Sequence, residues 1–247
     1  MKLTIQNITR TYKDKRAVDD VSCELTPGVY GLIGPNGAGK TTALDLICGK
    51  VRPSGGTIML GDRRLNRLEE QEIARAGVGR KFQVPSVFRD LSVRENLEVA
   101  CCKVTGVFRN ALRFGRGAES DGLEKLAALV GLEDQLDRQA GFLSHGQTQW
   151  LEIALLLAQN AELILMDEPT AGMTVQETRK TAELFNRLKG RHTLVVVEHD
   201  MGFIKEIGDV ISVMHQGRLL AEGTVRQIEE HPEVRRAYLG RGGISHA

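Results

Sequence analysis

The 247-residue sequence is short of several things that mark specialised proteins. It has only four cysteines, Cys23, Cys48, Cys101 and Cys102. They are too few and too irregularly spaced for a disulfide framework or a zinc site, so a reducing compartment is expected. No charge of one sign dominates: 33 basic against 32 acidic residues leave a formal net charge of +1. A general nucleic-acid binder carries a large basic excess, and that class is excluded. No uncharged apolar run approaches 18 residues, so no bilayer span is expected. The opening MKLTIQNITR alternates apolar and polar residues and has no signal-peptide apolar region. There is no low-complexity tract and no internal repeat. Hydrophobic residues at 41% and charged residues at 26% exclude a disordered or fibrous chain. The length suits one large domain or two small ones and allows a sizeable core.

Periodicity supplies the next layer. Leu3 and Ile5, then Val21, Cys23 and Leu25, alternate as half-buried strands do. Val29–Ile33 reads as a buried strand running into a glycine-rich loop. Thr41–Cys48 has helical spacing, with Gly49 as its stop. Thr57–Leu60, Leu163–Met166, Thr193–Val197 and Val210–Met214 read as further strands, and Gln216-Gly217 turns the last into Arg218–Ala221. Strands alternating with helices predict a parallel α/β sheet. The stretch from about Val93 to Val130 is mostly helical in pattern and reads as an insertion in that sheet. Its basic residues Arg109, Arg113 and Arg116 suit a solvated face, with contact to a partner protein or lipid headgroups as the alternative. Cys101 and Cys102 are expected to pack at a helix end.

The residues Gly34-Pro35-Asn36-Gly37-Ala38-Gly39-Lys40-Thr41 fit G-x-x-x-x-G-K-[ST] between a strand and a helix. Glycines let successive backbone N–H groups turn inward towards a polyphosphate. Lys40 brings positive charge to the β- and γ-phosphates, and Thr41 offers a hydroxyl to Mg²⁺. The following helix adds its positive dipole end. Asp167 ends an apolar strand, where a P-loop protein needs a carboxylate for the metal. Glu168 follows at once and suits a general base for the attacking water, the alternative for the acid pair being a solvated loop. His199 closes another strand, where it can orient that water or hydrogen-bond the γ-phosphate. Taken alone, it would more often be an ordinary core or surface histidine; its place after the next strand favours the functional reading.

With Leu143-Ser144-His145-Gly146-Gln147 ahead of the second buried strand, these motifs resemble those of ABC-transporter ATPases, in the family's order and over essentially the whole chain. The resemblance implies an α/β fold, a P-loop NTPase with a RecA-like core, an antiparallel β subdomain and a helical subdomain. The expected division is a core plus β subdomain at about 1–90 and 155–247, with the helical subdomain at 91–154. It implies ATP as the bound nucleotide, with Mg²⁺, and ATP hydrolysis as the activity.

The remaining site residues are carried over one at a time. Thr42 completes the phosphate loop. Tyr12 matches the aromatic that stacks on adenine, though it could also be an ordinary strand aromatic. Gln83 matches the glutamine that touches Mg²⁺ or water and senses the transmembrane partner. Glu168 matches the catalytic base and His199 the switch histidine. Ser144 and Gly146, in the motif that ends at Gln147, match residues that bind the γ-phosphate held by an opposing subunit. That implies a sandwich of two ATPase chains, attached to two transmembrane permease subunits on the cytoplasmic face of the cell membrane. A periplasmic binding protein would deliver the substrate, and nucleic acid has no part.

Gly79–Gln83, Leu143–Ile153 and Asp167–Thr174 further resemble the branched-chain amino-acid group of importers, and within it most nearly the urea-transporter ATPases. That group usually pairs two different ATPases. Export of lipopolysaccharide, or a role outside transport, is the less favoured alternative. Two departures from the general pattern stand out. His145 replaces the first signature glycine, with its imidazole facing either nucleotide or solvent. Thr174 stands where the following loop, the D-loop of the family, often has aspartate.

Overall fold

A computed structural model describes residues 1–81, 87–101 and 120–239, with the backbone alone at Ser120, Tyr238 and Leu239. Two expectations fall outside these residues: the metal- and partner-sensing role of Gln83, and the basic stretch Arg109, Arg113 and Arg116. Cys102 does too.

The strands are β1 Leu3–Tyr12, β2 Lys15–Leu25, β3 Gly28–Ile33, β4 Gly55–Leu60, β5 Arg63–Arg64, β6 Val78–Lys81, β7 Leu163–Asp167, β8 Thr193–Val197, β9 Val210–His215 and β10 Arg218–Gly223. The principal helices are α1 Lys40–Ile47, α2 Glu70–Arg75, α3 Val93–Cys101, α4 Ser120–Val130, α5 His145–Ala158, α6 Val175–Leu188, α7 Met201–Ile207 and α8 Val225–Glu230. Contacts divide the chain into two compact units. The first holds 1–80, 162–169 and 185–247; the second holds 81–161 and 170–184.

The first unit contains two sheets. An antiparallel one has the order β2-β1-β4-β5; a six-stranded one has the order β10-β9-β3-β8-β7-β6. Within the larger sheet, β9, β3, β8 and β7 run parallel. Every residue of β3, β7 and β8 is buried, which is why these strands read as continuous apolar runs instead of alternating ones. Leu3, Ile5 and Ile58 of the small sheet share one core with Leu44 and Ile47 of α1 and with Leu165 and Val195 of the large one. The large sheet is not wholly parallel: β10 pairs antiparallel with β9. The cause is the two-residue turn Gln216-Gly217, whose φ values of 49° and 83° are both positive, as a tight hairpin turn of this kind requires.

The second unit is helical. Its helix α5 packs against α3 and α4. The Trp150 indole on α5 donates to Thr181 Oγ1 on α6 at 2.9 Å, and Thr181 is itself fully buried. Cys101 is the last described residue of α3 and is exposed there, against the packed position expected for it.

Candidate functional site

The loop between β3 and α1 is shaped by glycines that no other residue can replace. Gly34 and Gly39 have φ of 149° and 104°. A Cβ at Gly34 would run into the Met214 carbonyl oxygen, and one at Gly39 into that of Ala17. The loop is thus pressed between β9 and β2. By contrast, a Cβ at Gly37 (φ 77°) would meet nothing within 4 Å, so the loop's crest faces open space. Ala38 anchors the base: its N–H donates to Pro35 O at 3.1 Å and its carbonyl accepts from Gly217 N–H at 2.9 Å. No side chain caps the start of α1, whose N-cap is Gly39, so its first N–H groups remain available to an anion.

Lys40 is only 7% exposed. Its Nζ donates to Gly34 O at 2.7 Å and to Pro35 O at 3.2 Å, inside the loop it follows. Burial pulls its pKa below the usual lysine range, while the Asp167 and Glu168 carboxylates push the other way. Thr41 Oγ1 donates to Asp167 Oδ2 at 3.1 Å. β7 and α1 therefore bring the two expected metal-binding oxygens together. A hydroxyl beside a carboxylate at a phosphate loop is a hard oxygen pair that fits Mg²⁺, which takes few protein ligands and leaves the rest to water and phosphate.

Glu168 leaves β7 with φ of 48°, a left-handed conformation uncommon for a residue with a side chain. Its N–H donates to Val197 O at 2.8 Å, which holds that kink against the neighbouring strand. Its Oε1 lies 3.0 Å from His199 Nε2. The sequence predicted both residues at this site, and here they meet each other. Tyr12, Lys15, Ala17, the loop 36–42, Asp167, Glu168, Val197 and His199 line one open cleft of about 400 Å³. Tyr12 is 42% exposed, with the Arg10 guanidinium carbon 4.5 Å from the ring centroid. One face of the ring is thus backed by a cation.

Ser144, Gly146 and Gln147 lie in the second unit, at the start of α5. Ser144 Oγ accepts from Gln147 N–H at 3.1 Å, and Gln147 Oε1 accepts from Ser144 N–H at 2.9 Å, a reciprocal cap. The His145 side chain is exposed, and its Nε2 lies 2.9 Å from the carbonyl of Ala171, in the loop before α6. The contact to a distant backbone acceptor was not among the expectations for this residue.

Sequence reasoning missed three participants. Lys15 is a second cation in the cleft, but the register that puts it beside Tyr12 comes from the β1–β2 hairpin and not from a motif. Arg10 behind Tyr12 follows from strand alternation, a signal that was present. Glu177, which contacts Ser144, was also signalled: Thr174-Val175-Gln176-Glu177 has the T-x-x-E form of a capping box.

Comparison with known proteins agrees with this geometry. Residues 18–171 match the family model described as ABC transporter. Residues 218–244 match one described as branched-chain amino acid ATP-binding cassette transporter. The chain is 41% identical to the high-affinity branched-chain amino acid transport ATP-binding protein LivG of Escherichia coli K12, over 96% of this chain and 97% of that one. It is 35% identical to the corresponding protein BraF of Pseudomonas aeruginosa, with the same coverage. Among solved structures, the ADP conformation of MJ1267, an ATP-binding cassette of an ABC transporter, superposes with a TM-score of 0.83 at 26% identity. It covers 97% of this chain and 99% of that one. With its P-loop, its paired carboxylates and its capped signature turn, the chain belongs to the ABC transporter family and is an ATP-binding, ATP-hydrolysing cassette with the family's mixed α/β fold.

Proposed function

We propose that this cassette drives a bacterial importer of branched-chain amino acids. The observation that carries the substrate class is the match of residues 218–244 to the branched-chain family model, outside the segment matched by the general ABC transporter model. The 41% identity to LivG supports it. The urea reading rests on the segments Gly79–Gln83, Leu143–Ile153 and Asp167–Thr174, narrowed by His145 and Thr174, and the relatives favour amino acids over it.

In this reading, the cassette works with a paralogous ATPase, two permease subunits and a periplasmic binding protein. It sits peripherally on the cytoplasmic face of the membrane, and no described helix is long and apolar enough to cross one. Tyr12 stacks on adenine, and the amide N–H groups of Gly34, Asn36, Gly37 and Gly39, with Lys40, Thr41 and Thr42, bind the phosphates, while Pro35, which has no N–H, and Ala38, whose N–H donates to Pro35 O, shape the loop. Lys40 then exchanges its loop carbonyls for phosphate oxygens. Thr41, Asp167 and Gln83 would hold Mg²⁺, which neutralises phosphate charge when bound. Glu168 accepts a proton from water as that water attacks the γ-phosphorus, and His199 fixes the carboxylate's orientation through the 3.0 Å contact. Ser144, Gly146 and Gln147 serve the γ-phosphate held by the opposing chain.

Deletion of the gene should abolish uptake of labelled leucine, isoleucine and valine. Wild-type protein should restore it and Glu168→Gln should not. Intact amino-acid uptake with loss of urea uptake would overturn the substrate assignment.

A further inference from the structure

The carboxylate of Glu177 joins two helix starts. Its Oε1 accepts from the Ser144 hydroxyl at 2.9 Å. Its Oε2 accepts from Thr174 N–H and from Thr174 Oγ1, each at 3.0 Å. The Gly146 N–H donates to the same carboxylate. Four donors, two from the signature turn and two from the loop before α6, therefore converge on one side chain. Glu177 is half-buried, and the Thr174 and Ser144 hydrogen bonds draw its pKa below the usual glutamate range.

Two further observations tie the same pair of segments. A Cβ on Gly146 would collide with Glu177 Oε1, so the backbone at Gly146 packs directly against this carboxylate. His145 Nε2 lies 2.9 Å from Ala171 O, a second link from the signature turn to the loop. The two positions that depart from the general family pattern, His145 and Thr174, are both among these links.

We infer that Glu177 is a positioning residue that fixes Ser144 for the γ-phosphate of the opposing chain and ties it to the loop 170–174; this rests on the signature role proposed above. The Ser144 hydroxyl has one proton, and it points at Glu177. To serve a phosphate oxygen that proton must turn away. Glu177 stays in place when it does, because Gly146 and both Thr174 donors still hold it. The Gly146 N–H then keeps the signature turn on the carboxylate, so the backbone that carries the serine is held at a set position and any movement of the loop is passed to it through Glu177. Glutamine cannot substitute. It has one acceptor oxygen, so its amide nitrogen would face either the Thr174 donors or those of the signature turn.

The test measures hydrolysis against ATP concentration for Ser144→Ala, Glu177→Gln and the double variant, in the full chain assembled with its partner subunits. ATP binding to the isolated full chain is measured beside it. Each single change should raise half-saturating ATP about tenfold, the loss of one oriented hydrogen bond to a charged group. For Glu177→Gln the maximal rate should change less than threefold. The double variant should match Ser144→Ala alone, and ATP binding to the isolated chain should be unchanged. Additive effects would make Glu177 a support of the fold only, and overturn the inference. So would a fall in half-saturating ATP, which would mean that the carboxylate repels nucleotide. An impaired Ser144→Ala beside an unaffected Glu177→Gln overturns it as well. An unaffected Ser144→Ala instead removes the signature role and takes the inference with it. If Glu177→Gln does not fold, Thr174→Val keeps the carboxylate and removes one donor. It should raise half-saturating ATP about threefold, with no further effect on Ser144→Ala; no shift overturns the inference.

Discussion

Replacing Glu168 by glycine and, separately, by alanine distinguishes backbone strain from chemistry at one residue. At φ of 48°, a residue with a Cβ pays about 1–2 kcal/mol to sit in the left-handed region. Glycine relieves that, but its freer unfolded chain takes back about 0.5–1 kcal/mol. Both substitutions also lose the His199 contact. Its two side chains are 45% and 47% exposed, so that loss is about 0–1 kcal/mol and common to both. The difference leaves the glycine variant about 0–1.5 kcal/mol more stable than the alanine variant, centred on about 0.75, the reverse of the order within a regular helix. At that centre the shift is roughly 1.5–3 °C in Tm for a chain of this length. Thermal unfolding of the nucleotide-free variants reads the difference. Both should lose hydrolysis by roughly 10²–10⁴-fold, the range for a general base. An alanine variant as stable as the glycine variant would refute the strain argument, and near-normal hydrolysis in either would refute the role of Glu168.

Two more expectations follow from other parts of the site and its frame. Tyr12→Ala should weaken ATP binding by about 1–3 kcal/mol, as loss of an aromatic stacking partner does, while inorganic triphosphate binds as before; calorimetry with both ligands checks this, and equal losses would assign Tyr12 to the fold. Asp19 accepts from Arg218 at 2.7 and 2.8 Å and from Arg16 at 2.9 Å, and these guanidinium groups hold its carboxyl below the usual range near pH 4. Its contribution to stability is therefore complete above that usual value and is lost as pH falls through the lower folded value, so Asp19→Asn should flatten the acid limb of a stability–pH curve, and an unchanged slope would contradict it.

The phosphate site was legible because its signals are local. Glycine spacing, an apolar strand ahead of Gly34 and a helical period after Lys40 all fall within about 20 residues. The acid pair at 167–168 was legible for the same reason: a short apolar strand ends there. Residues 61–92 gave no elements to the sequence reading, yet β5, α2 and β6 lie there. Their runs are short, and only Ile73 of α2 is buried, so periodicity has little to act on. The His145–Ala171 link was out of reach, since it joins segments 26 residues apart through a backbone carbonyl that no motif encodes. The capping box at Thr174–Glu177 was readable as a helix start, but nothing local shows that its carboxylate also serves a second helix.

The order β3-β8-β7 places the phosphate loop and Asp167 on strands with one strand between them, and that middle strand leads to His199. Neighbouring strands lie about 4.8 Å apart, so the interval across the site is a lattice constant of the sheet. Side-chain evolution cannot lengthen or shorten it. All five residues of β8 are buried, so a slip of one position would turn each into a space packed around a different side chain on the opposite face, and the close-packed interior penalises the misfit on both sides of the sheet. The spacing of the hydrolytic groups is for that reason the part of this chain least open to drift, and adaptation to a new role has to be written into segments outside the central strands.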